Sequence, residues 1–174
     1  MPLRTAAALI TLIVAAQLGC GYHIAGKADT LPDTVKTIAI PAFQNATTEY
    51  KIEQLLTQAV VREFISRTRY QVVSRPENAD AVLQGTVVGF FAFPANFDPE
   101  TNRASSVSTT TQVRITLLDQ STSLPLYENP NLTHRELYEV SIDPEAYFEE
   151  RQAALVRSSQ SMARRLVSAV LEGF

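Results

Sequence analysis

The chain has 174 residues, 45% of them hydrophobic and 19% charged, the composition of one folded domain with a real core and not of a disordered or fibrous chain. Its 15 basic and 18 acidic residues leave a net charge of -3, and neither sign gathers into a block, which excludes the concentrated Lys and Arg that a nucleic-acid partner requires. A single cysteine, Cys20, excludes an intrachain disulfide as the source of stability.

Residues 1–19 read as a bacterial export signal. Arg4 supplies a positive start, Ala6 to Ala16 is apolar except for Thr11, and the small residue Gly19 precedes Cys20. The apolar run is too short to cross a bilayer as a helix, which needs about 20 residues. A cysteine directly after a small residue is what lipoprotein processing requires, so Cys20 is the expected lipid attachment point. Each acyl chain there contributes roughly 0.8 kcal/mol per buried methylene. Gln17 stands where a lipobox usually carries Leu. Ordinary cleavage ahead of a free Cys20 and a retained hydrophobic anchor are the other readings of the segment. Gly21, where Asp would signal retention, points to the outer membrane of a cell with two membranes.

Residues 20–34 form the expected lipidated terminus and tether, with no sustained hydrophobic period, and residues 35–174 one domain. "VKTIAIPAF" reads as a strand that Pro41 stops, followed by a turn through "QNATT". From Glu49 to Ile65 the period changes to 3.6: Ile52, Leu55, Leu56, Ala59, Val60 and Phe64 form one stripe, with Thr47 or Thr48 as the expected N-cap. "RYQVV" returns to a strand and "SRPENAD" turns.

Two long strands follow. In Ala81 to Phe93 the alternation places Leu83, Val87, Phe91 and Phe93 on one face, and Val82, Val88 and Phe90 make the other partly apolar, as in a central strand. Val107 to Leu117 alternates cleanly between Val107, Thr109, Thr111, Val113, Ile115, Leu117 and a polar face of Ser108, Thr110, Gln112, Arg114 and Thr116. The 13 residues from Pro94 to Ser106 read as a long connecting loop. Leu124 to Val140 is extended but interrupted at Asn129 and Pro130, which suggests two short pieces around a bulge. A final helix starts with Asp143 as cap, Pro144 in the first turn and Glu145 favoured by the helix dipole. Phe148, Leu155, Met162, Leu166, Ala169 and Val170 recur on one side, and "RSSQS" suggests light packing in the middle. The expected fold is α+β: two helices on one face of a mixed, roughly four-stranded sheet, in the order strand-helix-strand-strand-strand-helix.

Little in the chain supports catalysis. His23 and His134 lack the further ligands a metal needs, no phosphate-cradling glycine motif occurs, and the serines at 105, 106, 108, 158, 159 and 161 stand in no nucleophile context. The acidic groups around the last helix start, Glu136, Glu139, Asp143, Glu145, Glu149 and Glu150, read as a solvated surface. No cofactor and no metal are expected. "NAT" at 45–47 and "NLT" at 131–133 match sequons by chance, since a bacterial signal argues against glycosylation. Two sets of basic residues are candidates for an anionic partner: Arg103 and Arg114, which could meet a phosphorylated glycolipid, and an alternative patch of Arg62, Arg67, Arg69 and Arg75.

The sequence resembles the LptE family of lipopolysaccharide-assembly lipoproteins. "CGYH" at 20–23, "TIAIPAFQNATTEYKIEQLLTQAVVREF" at 37–64, "RYQVV" at 69–73, "ADAVLQGTVVGF" at 79–90 and the final helix from "IDPEAYFEE" onward carry the resemblance. It implies a non-enzymatic protein on the periplasmic face of the outer membrane, lipid-anchored at Cys20. Its implied partners are lipopolysaccharide and a large β-barrel, LptD, which the family plugs and helps assemble. A generic periplasmic lipoprotein acting as scaffold would share the anchor without the barrel, and a cryptic hydrolase would need a coherent catalytic set. No nucleic-acid partner is expected.

Overall fold

The computed structural model describes residues 31–141 and 144–173. The expectations for the signal, Cys20, most of the tether, the Asp143 cap and the Glu145 and Phe148 side chains lie outside what it describes.

The first strand is short because Pro41 cannot continue a ladder: β1 is Thr37–Ala39. Ile38, Ala39 and Ile40 are all buried, as befits a strand with neighbours on both sides. Where the sequence suggested only a turn, Gln44–Asn45 forms a second short strand, β2. The first helix, α1, spans Ile52–Arg67, and its stripe of Ile52, Leu56, Ala59, Val60 and Phe64 is buried. Neither threonine caps it. Asn45 Oδ1 accepts hydrogen bonds from the Thr47 amide and hydroxyl, so Thr47 is held in a local turn, and the cap position falls to Lys51 with φ 60° and no side-chain cap bond.

The chain returns through β3, Gln71–Val73, and a one-turn 3-10 helix at Pro76–Asn78. β3 and β1 pair in parallel, so β1, α1 and β3 make a crossover unit with the helix against the sheet. β4 (Ala81–Phe97), β5 (Ala104–Asp119) and β6 (Pro125–Glu139) follow as an antiparallel meander. The sheet is mixed and six-stranded, ordered β3-β1-β4-β5-β6, with β2 alongside β4. α2, Pro144–Glu172, packs against α1 and the sheet, with Pro144 in its first turn. The α+β architecture and its element order are as the sequence implied.

The main core lies between sheet and helices, with a smaller cluster of Val107, Tyr138 and Ala154 beside it. The main core joins Ile38, Phe43, Leu56 and Phe64 to Leu83, Val113, Ile115, Met162 and Leu166. Leu31 and Val35 both belong to it. The expected inward set on β5, Val107 to Leu117 at odd positions, is buried throughout. Three details differ from expectation. The 13-residue connection is a six-residue loop, residues 98–103, because β4 and β5 continue pairing as far as Phe97 and Ala104. β6 is one strand, its register with β5 shifting where Arg114 faces Pro130 and Asn131. The middle of α2 is tightly packed, with Ser158 and Ser159 both buried, since small side chains let the helix approach closely.

Candidate binding surface

A bulge in β4 decides what the far end of the sheet presents. Up to Val87 the odd residues Leu83, Gly85 and Val87 face the helices, but the pairing with β5 steps from Val87 opposite Val113 to Gly89 opposite Gln112, leaving Val88 over. An extra residue reverses the alternation beyond it. Phe90 therefore turns inward and packs on the core, whereas Phe91 and Phe93, expected inside, are 46% and 63% exposed on the outer face. Their rings stack with centroids 6.5 Å apart and planes 9° from parallel.

The outer face is thus an aromatic pair in a polar lattice. Phe91 lies beside Thr110 and then Arg135, and Phe93 beside Ser108 and then Leu137, across β4, β5 and β6. Leu137 is 58% exposed and Phe97, closer to the tip, 59%. The sequence signal that could have located this patch is the abundance of apolar residues on both faces of β4, which alternation alone resolves the wrong way past a bulge. On the inner face Phe90, Ala92, Thr109, Tyr138, Arg151 and Leu155 line a shallow groove between the hairpin and α2. Arg151 donates to both carboxylate oxygens of Glu49, at 2.9 and 2.7 Å, joining α2 to the loop ahead of α1.

The tip is a hydrogen-bonded turn. Asp98 Oδ1 accepts hydrogen bonds from the Thr101 amide (2.7 Å), the Thr101 hydroxyl (2.8 Å) and the Glu100 amide (3.1 Å). These bonds, the Thr101 amide foremost, hold the Asp98 carboxyl below the ordinary aspartate range. Arg103, exposed, stands at the end of this turn, and its carbonyl accepts from Asp98 N. Arg114 is exposed in the middle of β5, opposite Thr86. Eleven positions of extended chain separate the two arginines, roughly 35 Å at strand rise, so the structure does not bring them together.

The alternative basic residues lie around the end of α1 and β3. Arg62 is exposed on α1, and Arg69 and Arg75 flank β3. Arg67 Nη1 bonds Glu63 Oε1 at 3.2 Å and Ser168 Oγ at 3.1 Å, which ties the end of α1 to α2. That role is structural. Among the described residues no three His, Cys, Asp or Glu side chains converge on a metal position, and no helix is long and apolar enough to cross a membrane.

A family model for lipopolysaccharide assembly, LptE, matches residues 35–170, from the core residue Val35 to the last turns of α2. The chain belongs to the LptE family. No curated protein matches it in sequence at a significant level. Solved structures share this fold at low identity. CT253 from Chlamydia trachomatis superposes with a TM-score of 0.56 and 11% identity, over 79% of this chain and 96% of its own. PelC from Paraburkholderia phytofirmans, a dodecamer, gives 0.51 and 13%, over 79% and 90%. Rare lipoprotein B from Shewanella oneidensis gives 0.50 and 11%, over 79% and 95%. At such identities they establish the fold. Membership in LptE places the chain in lipopolysaccharide assembly.

Proposed function

We propose that this protein is a non-enzymatic outer-membrane lipoprotein that seats in a large LptD-like β-barrel from the periplasmic side and assists the delivery of lipopolysaccharide. The family match over residues 35–170 carries the reading. Residues 1–19 are then the export signal, Cys20 the acylated residue, and residues 20–34 the lipidated terminus and tether.

The geometry supports a plug. The face of the sheet turned away from the helices presents Ser108, Thr110, Gln112, Arg114 and Thr116 along β5, a surface suited to the polar, water-lined interior of a barrel. Thr34 and Val35 line the same cavity as Asp80 and Asp119, at the start of β4 and the end of β5. The tether therefore leaves from the end of the sheet opposite the 98–103 tip. β4 alone is 17 residues, about 55 Å at strand rise, so an anchor at Cys20 leaves the tip free to point away from the anchoring leaflet. Arg103 at the tip and Arg114 on the outer face are the groups proposed to meet phosphorylated glycolipid.

Purification of the acylated protein from detergent-solubilised outer membrane tests this reading. A stoichiometric complex with a large β-barrel is expected, and a monomer without one would make the protein a generic envelope lipoprotein. Cys20→Ser should abolish acyl labelling, whereas label persisting at the wild-type level would move the attachment elsewhere.

A further inference from the structure

Among the described residues, β4 has an unpaired edge. On one side it pairs with β5 along nearly its whole length. On the other it meets β1 at Ala81 and Val82 and β2 at Thr86 and Val87, and among the described residues no strand adjoins it beyond that. Every residue from Phe91 to Phe97 is exposed. The edge from Gly89 to Phe97, "GFFAFPANF", contains no charged residue. Natural sheets blunt such edges with charge, proline or bulges, because the backbone donors and acceptors there are a template for another strand. Here the bulge at Val88 and the shift at Pro94–Asn96 delimit a regular window, Gly89–Phe93, which carries none of those devices.

From this geometry we infer that the Gly89–Phe93 edge is a strand-addition site that accepts an extended, uncharged segment of the β-barrel partner; the inference rests on the barrel reading above. An added strand alternates its side chains between two faces. One set would lie against the stacked Phe91 and Phe93, the other against Phe90, Ala92 and Leu155 in the inner groove. The edge offers no counter-charge to an acidic or basic segment, which selects an apolar one. A second copy suits the site less well. Isologous pairing of one edge with itself runs antiparallel, whereas two copies tethered to one membrane by the same terminus point the same way.

Photo-reactive residues placed singly at Ala92, Phe93 and Leu137 of the full-length protein in cells test the site. Cross-links from Ala92 and Phe93 are expected on one short extended segment of the barrel, whereas Leu137, which shares the outer face but lies on β6, two strands away, should reach other parts of the barrel wall. Cross-links from Ala92 and Phe93 scattered over the barrel wall like those of Leu137 would mean docking of the whole face and would overturn strand addition; cross-links to a second copy would overturn the choice of partner. In parallel, the double variant Phe91→Ser, Phe93→Ser, altered only at exposed positions, should recover about tenfold less barrel than wild type. Undiminished recovery refutes the strand site and leaves the plug standing, whereas absence of the barrel even from the wild-type preparation removes both.

Discussion

Thr37 and Asp80 exchange hydrogen bonds in both directions: the Thr37 hydroxyl donates to Asp80 Oδ2 at 2.8 Å and accepts from the Asp80 amide at 2.9 Å. The amides of Lys36 and Thr37 also donate to Oδ2, each at 2.8 Å. This clasp closes the parallel seam of β1 and β4, which has only two register pairs of its own. The Lys36 amide first, then the Thr37 hydroxyl and amide, hold the Asp80 carboxyl below the ordinary aspartate value. Asp80→Asn should cost roughly 1 to 2 kcal/mol in urea unfolding. Because the folded pKa is the lower one, the carboxylate's contribution is complete above the unfolded value of about 3.9 and is lost as pH falls through the folded value. The wild-type advantage over Asp80→Asn should therefore be flat above about pH 5 and shrink below about pH 4; an advantage unchanged in acid would assign the effect to something other than charge.

Gly85 is held to hydrogen by Phe43. A Cβ at Gly85 would stand 2.5 Å from two carbons of the buried Phe43 ring, which has no room to withdraw. Gly85→Ala should destabilise by roughly 1 to 3 kcal/mol, the usual cost of overpacking. Adding Phe43→Leu should restore part of that loss, although it weakens the wild-type background. Denaturation midpoints of the four proteins in this cycle check the sign of the coupling.

The bulge at Val88 makes neighbouring phenylalanines unequal. Phe90→Ala removes a ring packed on the core and should cost about 1 to 3 kcal/mol, whereas Phe91→Ala removes an exposed ring and should change stability by less than about 0.5 kcal/mol. The reverse ranking in thermal or urea unfolding would mean that β4 alternates without a break.

That pair of residues also marks what could be read from the sequence. Helical stripes such as Ile52-Leu56-Val60-Phe64 and the clean alternation of β5 are repeated signals in which each position confirms the next, and both elements lie where the pattern put them. A bulge is one residue long and leaves no such repetition, so alternation puts Phe90, Phe91 and Phe93 on the wrong faces. Pairing partners were equally illegible: nothing local to "GFFAFPANF" says that β1 and β2 end before it. The Thr47 cap failed for a related reason, since Asn45 competes for the same hydroxyl and sits too near in sequence to stand out. Arg103 and Arg114 share a charge, and only the continuous β5 reveals how far apart they lie.

Arg151 and Glu49 connect elements far apart in sequence through one guanidinium nitrogen and two carboxylate oxygens, with Glu49 only 11% exposed and Arg151 37%. Partial exposure limits the pair to a coupling of roughly 0.5 to 1 kcal/mol. A double-mutant cycle with Arg151→Met and Glu49→Gln should return that value at low salt and less at high salt, by screening. No coupling would leave the approach of α2 to α1 to apolar packing and the Arg67–Ser168 bond.

Glycolipid binding should separate into two independent contributions. Arg103 stands at the tip and Arg114 in mid-strand, so one phosphate cannot bridge side chains roughly 35 Å apart along β5. Arg103→Glu and Arg114→Glu should each weaken binding of purified lipopolysaccharide about threefold to tenfold. The double reversal should equal the product of the two, within about 0.5 kcal/mol, as for distant sites. Binding unchanged by either reversal in a correctly folded protein would retire that arginine as a contact. A double variant losing far more than the product would require both guanidiniums to meet one headgroup, which an extended β5 forbids.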